Sequence, residues 1–405
     1  MEEDLVGNAH ATRMKEENMR WSGRKSQGPI GLDIGSRYIK AVQVSRAGRS
    51  VNVTAAMAIP RFKDGGPLEH EEASRLAEVL YRQGFEGRRV VLAAPGESLL
   101  VGTLSVPPKQ SGAPVDQIAR MELARMHKHD PMSFELVHWE LPTTGSSGGK
   151  GAATSVMAAA CPHVETEALL DLFESTGLEV VGLDVSWLAL ARACTPMFAP
   201  PAEDKKTAET QAKTVAILDI GWRTARVIVL RNDVIIFERV LTEGGLCKLR
   251  DTLKNQLQLD DNATDFLLRD VGCSPPQRDA SESDRRVADR RASDRRASDQ
   301  QASADDDAFK EPRRLITVHF AALLEELKVS LSYAVQQFRG EGIDKLVLCG
   351  GGGAIPGLPQ QLHEAFQFDV ISADVAQLAT CPHGLERFCG STVLTAALGL
   401  ALYEE

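Results

Sequence analysis

Aromatic side chains are scarce in this chain, 5% of 405 residues, and long apolar runs are missing. A membrane-spanning helix needs roughly 18 or more apolar residues in a row. The best run here, Val393 to Leu402, reaches only about half that length. Cysteine is also sparse, with seven residues, an odd count, and no Cys-x-x-Cys pair. That distribution argues for reduced thiols in a cytosolic protein and against a disulfide framework or a zinc ribbon. The first residues lack the positive charge and apolar stretch of a signal peptide, since Glu2, Glu3 and Asp4 stand there. Positive charge is in deficit, 46 Lys and Arg against 56 Asp and Glu, for a net charge of −10. That balance gives no support for nucleic-acid binding. These shortages exclude a secreted mini-domain, a transmembrane protein and a DNA-coating protein. The remainder, 43% hydrophobic and 25% charged, is an ordinary soluble composition in a chain long enough for at least two cores.

Residues 1–28 mix charges of both signs, hold no apolar period and read as a disordered tail. Order begins at Pro29. Ile30 to Ile34, Tyr38 to Val44 and Val51 to Ile59 predict three strands with turns at Gly35-Ser36 and Ala47-Gly48-Arg49. Helices are expected over Ala73 to Tyr81, Val115 to His127 and Glu165 to Thr176, and strands over Val90 to Ala94, Phe134 to Leu141, Ala152 to Ala160 and Leu178 to Asp184. His127 and His129 read as solvated residues at a helix end. Pro200, Pro201 and the charged run that follows predict a linker over 199–213. The strand pattern then restarts at Val215 to Ile220, Ala225 to Leu230 and Val234 to Val240, with a helix after Gly244-Gly245.

That restart is a repeat. Leu32-Asp33-Ile34-Gly35 opens the first half and Leu218-Asp219-Ile220-Gly221 the second, with Arg37 and Arg223 at equivalent places. The same strand and turn order follows each, which points to a duplicated lobe. Ser274 to Ala308 interrupts the second half. There Asp-Arg-Arg recurs every five residues, at Asp284, Asp289 and Asp294. Val287 is its single sizeable apolar residue, too little to offset backbone ordering at roughly 1–2 kcal/mol per residue, so the segment reads as a solvated insertion. A long helix from Arg313 to Gln337, a strand from Lys345 to Cys349 and a run of glycines from Gly350 to Gly353 follow.

The chemistry concentrates at the turns. A strand–turn–strand whose backbone N–H groups converge makes an anion nest, and glycine lets a phosphate approach. An Asp at the strand end can hold the water of a Mg²⁺ ion, and Lys40 offers a point charge. The glycine run leaves a turn without side chains, suited to a purine or ribose phosphate. Gly145 to Lys150 lacks P-loop spacing, and Cys381, His383 and Cys389 read as a loop with a buried thiol in preference to a zinc site.

These elements, in this order, resemble the actin-like ATPase superfamily. Within it the chain is similar to the PilM-like type IV pilus assembly proteins, with the FtsA group more distant. The resemblance covers Pro29 to Glu405 apart from the insertion. It implies an α/β fold of two RNase H-like lobes, 29–198 and 214–405, with a small α+β subdomain inserted in the first at about 108–176. It also implies ATP and Mg²⁺ as ligands. One phosphate turn would hold Asp33, Gly35, Ser36 and Lys40, and the other Asp219, Gly221 and Thr224. Gly244 and Gly245 would join them, with the adenosine side at Gly350, Gly351, Gly352 and Gly353. Asp33 and Asp219 would serve the metal. On the long helix Glu325, Lys328 and Ser332 match an adenine-facing pattern, with Val329 in place of an Arg. Asp184 is the candidate to position a water for hydrolysis, although binding is favoured over turnover. The family keeps small residues in both turns, whereas Arg37, Tyr38, Trp222 and Arg223 stand here. Either the arginines neutralise phosphate or the aromatics fill the cleft.

The function implied is a cytoplasmic scaffold for pilus assembly or a related secretion system. It would be held at the inner membrane by the N-terminal segment of a PilN-like protein, docked near Val115 to Trp139. An FtsA-like division protein is the first alternative, disfavoured because no anchor helix follows Leu402. A small-molecule kinase of the same fold is the second, disfavoured because no substrate motif is apparent.

Overall fold

Two sheets with the same strand order organise the chain. The computed structural model describes residues 26–48, 50–142, 153–198, 213–273, 308–338 and 342–404. The expected tail up to residue 25, most of the linker, the loop from Thr143 to Gly151 and the repeat-rich insertion lie outside the described residues. In the first lobe, β1 (Ser26–Ile34), β2 (Tyr38–Ala47) and β3 (Ser50–Pro60) form an antiparallel meander, and β4 (Arg89–Ala93) pairs parallel with β1. Three further strands, β5 (Leu100–Val106), β6 (Phe134–Glu140) and β7 (Thr154–Pro162), form a separate sheet before β8 (Glu179–Asp184) completes the first. The second lobe repeats the plan with β9 (Thr214–Ile220), β10 (Ala225–Arg231), β11 (Val234–Leu241), β12 (Lys345–Cys349) and β13 (Asp369–Ser372). The orders are β3-β2-β1-β4-β8 and β11-β10-β9-β12-β13, two five-stranded sheets with matching antiparallel and parallel pairings.

Both central strands are apolar because both faces of each sheet are covered. In the first lobe α1 (His70–Arg82) lies on one face, with Leu76 and Leu80 in the core. Three helices intervene in the chain and in the subdomain: α2 (Val115–His127), α3 (His163–Glu174) and α4 (Ser186–Cys194). In the second lobe come α5 (Leu246–Leu257), α6 (Asp261–Phe266), α7 (Lys310–Gln337), α8 (Leu358–Phe366), α9 (Val375–Leu378), α10 (Glu386–Cys389) and finally α11 (Thr395–Ala401). The last of these crosses back under the first-lobe sheet and packs on α4, β1 and β2.

Small residues set that crossing. A Cβ on Gly399 would stand 1.9 Å from the Ala189 carbonyl oxygen, and one on Gly31 would stand 2.2 Å from that of Ala397. Backbone therefore meets backbone where α11, α4 and β1 converge.

The small sheet has order β5-β7-β6 with α2 on one face. β5 escapes the sequence reading, and α3 packs through Phe173 against α1 and β8 while its first turn stays in contact with β7 and with Glu135 of β6. The subdomain core is thus built from Leu100 to Pro162, earlier at both ends than the expected span about 108–176. His127 is not merely solvated, because its ring nitrogen meets the Val101 carbonyl at 3.1 Å. The cysteine expectation also needs correction. Cys381 and Cys389 form a disulfide, while Cys161, Cys194, Cys247, Cys273 and Cys349 are free. Pro382 and Gly384, the latter at φ +97°, turn the chain between them.

Replacing Gly399 with Ala is expected to destabilise the protein by about 3 kcal/mol, although Ala is the better helix former by about 1 kcal/mol. Gly66→Ala, whose Cβ would meet only the flexible Lys63 side chain, is the control expected to change little. Urea unfolding midpoints of both variants check the contrast.

Candidate functional site

The two duplicated hairpins bring their polar residues to one place between the lobes. In the first, Asp33 on β1 is paired across the strands with Lys40 on β2. In the second, Asp219 on β9 is paired with Arg226 on β10. The turns themselves match: Gly35 N–H donates to the Tyr38 carbonyl at 3.0 Å and Gly221 N–H to the Thr224 carbonyl at 3.0 Å. Arg226 is absent from the residues singled out by sequence. The signal was there, since Asp33 to Lys40 and Asp219 to Arg226 are both seven residues apart.

Electrostatics follow from burial. Asp33 and Lys40 form an ion pair whose side chains are 13% and 17% exposed. Burial acts to lower the Lys40 pKa, but the charge and hydrogen bond of Asp33, aided by Asp219, raise it above its ordinary value. Asp219 is held above the usual carboxylate range, chiefly by burial. Lys40 and Arg226 pull it down and Asp33 pushes it up. The two acids therefore sense each other across the cleft, with Lys40 interacting with both. Arg226 also pairs with Glu238 on β11.

The glycine run stands against the second hairpin. A Cβ on Gly350 would lie 2.3 Å from Asp219 Oδ1, and one on Gly352 would lie 2.3 Å from the Ile220 side chain. Gly350, at φ +72°, requires glycine on both counts. Thr392 pins the run, donating its hydroxyl to the Gly350 carbonyl at 2.6 Å and accepting the Gly350 N–H at its own carbonyl at 3.1 Å. Gly351 to Ala354 form a 3-10 turn, with Gly353 buried, and α8 begins at Leu358 with Pro359 beside its start. Gly244 and Gly245 are buried beside the same turn; a Cβ on Gly245 would stand 2.0 Å from the Arg223 carbonyl oxygen. The structure thus brings together Asp33, Gly35, Ser36, Lys40, Asp219, Gly221, Thr224, Gly244, Gly245 and Gly350 to Gly353.

The remaining candidates lie on α7 and at the end of β8. Glu325, Lys328 and Ser332 lie on an exposed face of α7. The residue that reaches the loop before Gly244 is Glu326, which accepts the N–H groups of Thr242 and Glu243. Gly351 of the glycine run also abuts Leu246 of α5, and Pro356 beyond the run abuts Gly272. Asp184 is committed as well: Oδ1 accepts the Val185 N–H at 2.7 Å and Oδ2 accepts Arg192 at 2.8 Å. These two bonds tie it to the start of α4 and to Arg192.

A buttress below the first turn was not anticipated. Arg61, 8% exposed, is clamped by both oxygens of Glu72 and donates to the carbonyls of Gly35, Gly66 and Pro67. Gly65 N–H also reaches the Ser36 carbonyl at 2.7 Å.

The family model described as type IV pilus assembly protein PilM matches residues 31–266. The chain belongs to this PilM family. The match takes in the first lobe, the subdomain and both hairpins, and ends before α7 and the glycine run. Among solved structures, the chain is similar to a PilM-PilN type IV pilus biogenesis complex, with TM-score 0.66 and 22% identity over 93% of this chain and 98% of that one. It is also similar to the ethanolamine utilization protein EutJ of Carboxydothermus hydrogenoformans, with TM-score 0.50 and 14% identity over 94% and 91% of the two chains. These likenesses accord with the two-lobed actin-like fold. No helix among the described residues is long and apolar enough to cross a membrane.

Removing Lys40 leaves two acids facing each other without their shared cation. Lys40→Ala is expected to cost about 3 kcal/mol at pH 7, the range for breaking one partner of a buried pair. The double variant Lys40→Ala/Asp33→Asn is expected to recover at least half of that. A double-mutant cycle of urea unfolding free energies checks both values.

Proposed function

We propose that this protein is a scaffold of type IV pilus assembly, or of a related secretion system, that binds the N-terminal cytoplasmic segment of a PilN-like inner-membrane protein. Family membership supports the pilus assignment, and the observation that carries the peptide reading is a pocket in the subdomain. Val106, Val115, His138, Trp139 and Val156 line it, within and beside the expected docking region. Met121, Met132 and Val137 stay exposed on the same subdomain. An apolar peptide side chain would fill the pocket, and His138, paired with Asp116 at 2.6 Å, marks its polar edge. The protein would sit in the cytoplasm and reach the inner membrane through that partner.

The cleft would hold ATP with Mg²⁺. Its fit rests on the cradle of glycines, where added Cβ atoms would strike backbone or Asp219, and on the facing Asp33 and Asp219. Gly35, Ser36, Lys40, Gly221 and Thr224 would meet the phosphates, and Gly244, Gly245 and Gly350 to Gly353 the nucleoside side. Asp33 and Asp219 would hold the metal, whose charge would offset that of the phosphates. Binding is the role inferred for the cleft, with at most weak ATPase activity, because Asp184 is engaged with Arg192.

A fluorescent peptide copying the PilN-like segment is expected to bind the full chain, and Val115→Glu to weaken it at least tenfold. Val115 opens α2, where a negative charge suits the helix dipole, and it is only partly buried against the subdomain core; circular dichroism of the variant checks that the fold is kept. Failure of the peptide to bind the wild-type chain, with or without ATP, removes the partner reading. Separately, MgATP at 100 times its Kd is expected to stabilise the protein by about 2.7 kcal/mol. No thermal shift at millimolar MgATP removes the nucleotide reading.

A further inference from the structure

The residues that distinguish these phosphate turns from bare ones are engaged with the opposite lobe. Arg37, in the β1–β2 turn, donates through Nη2 to Asp265 of α6 in the second lobe, at 3.1 Å to Oδ1 and 2.8 Å to Oδ2. Its guanidinium carbon lies 4.2 Å from the Trp222 ring centroid, on the facing turn, and 5.4 Å from that of Tyr38. Arg250 of the second lobe holds Asp265 from the other side at 3.2 Å and stands 5.8 Å from the Trp222 ring. The equivalent arginine of the second turn does the reverse: Arg223 reaches Glu97 of the first lobe at 3.0 Å and lies beside Gly65. The duplication thus sends one arginine from each turn across the cleft.

The two contacts differ in weight. Arg223 and Glu97 are 48% and 82% exposed, so their ion pair is a surface one and contributes little. Arg37 is 18% exposed, stacked on an indole and held by a carboxylate that another arginine fixes. A planar guanidinium suits both stacking and forked acceptance by carboxylate or phosphate. Arg37 therefore has two competing acceptors within one cleft, the Asp265 carboxylate and any phosphate seated on its own turn.

We propose that Arg37, gripped by Trp222 and Asp265, is an internal latch that closes the lobes without nucleotide and must release Asp265 before a phosphate is bound at that turn. The phosphate half rests on the nucleotide reading above; the closure half does not. The test uses the full chain as wild type, Arg37→Ala, Arg37→Lys, Asp265→Ala and Asp265→Asn. Circular dichroism confirms folding, and the Lys and Asn variants carry the test if an Ala variant does not fold. Without nucleotide, hydrogen exchange of the peptides covering 35–38 and 221–224 is expected to quicken at least tenfold in the Ala variants, and less in Arg37→Lys. Glu97→Gln is expected to leave it unchanged. Unchanged exchange in both latch positions overturns the latch, and an equal effect of Glu97→Gln overturns its assignment to Arg37. With MgATP, Asp265→Ala is expected to bind about tenfold more tightly than wild type, and Arg37→Ala to show no gain. Equal affinity of wild type and Asp265→Ala overturns the competition. No binding by any variant overturns the competition together with the nucleotide reading, and the exchange result then decides closure alone.

Discussion

Two buried carboxylates cannot face each other in a low-dielectric cleft unless positive charge stands between them. Asp33 and Asp219 are in that position, and Lys40 interacts with both. Much of the central architecture serves this arrangement. The cross-strand pairing fixes each acid beside a base, Asp33 with Lys40 and Asp219 with Arg226. The glycines at Gly350 and Gly352 keep the next strand's turn from colliding with Asp219 and Ile220. The buried Arg61–Glu72 clamp holds the first turn from below by its own carbonyl. A phosphate chain entering such a site meets charges already balanced among themselves, so binding must exchange partners as well as add contacts.

The duplication is deeper than a repeated tetrapeptide. It extends to register, to the turn hydrogen bonds and to arginines that reach opposite lobes from equivalent places. Yet the copies have diverged in their surroundings. Lys40 faces its Asp across the cleft floor, whereas Arg226 is drawn also toward Glu238. The two hairpins thus differ in their cation: Lys40 pairs with Asp33 and senses Asp219, whereas Arg226 pairs with Glu238 and senses Asp219.

Much of the fold was legible in the sequence because local patterns and tertiary burial agree. The apolar runs from Ile30, Val215 and Lys345 are strands on any reading, and Val115 to His127 is the helix its periodicity predicts. The misreadings arise where the deciding contact is distant in sequence. β5 escapes because Gly102, Thr103 and Ser105 break the apolar pattern of Leu100 to Val106, and Gly102 faces Met126 and Leu123 of α2. Glu325, Lys328 and Ser332 share one exposed face of α7, as their helical spacing predicts, but spacing alone does not say which face turns to the cleft. Asp184 sits at a strand end, as a catalytic acid would, and only the structure reveals that Arg192 has claimed it. The paired Cys381 and Cys389 belong to the same class, since their meeting depends on a loop laid along β3, where Thr380 exchanges backbone hydrogen bonds with Val51 and Val53.

Coupling between cleft and partner requires an element whose energy differs between lobe arrangements. Trp139 meets that requirement geometrically. Its ring lines the subdomain pocket, and its Nε1–H donates to the Ile235 carbonyl on β11 of the second lobe at 2.8 Å. Its ring also lies 6.0 Å from that of Trp187 on α4, the helix against which α11 crosses between lobes. One wall of the pocket is thereby attached to the lobe that does not carry the subdomain. A change in the angle between the lobes would act on that hydrogen bond and on the half-buried indole it holds. If the proposed segment fills the pocket against Trp139, that segment and a ligand that sets the lobe angle would act on the same side chain.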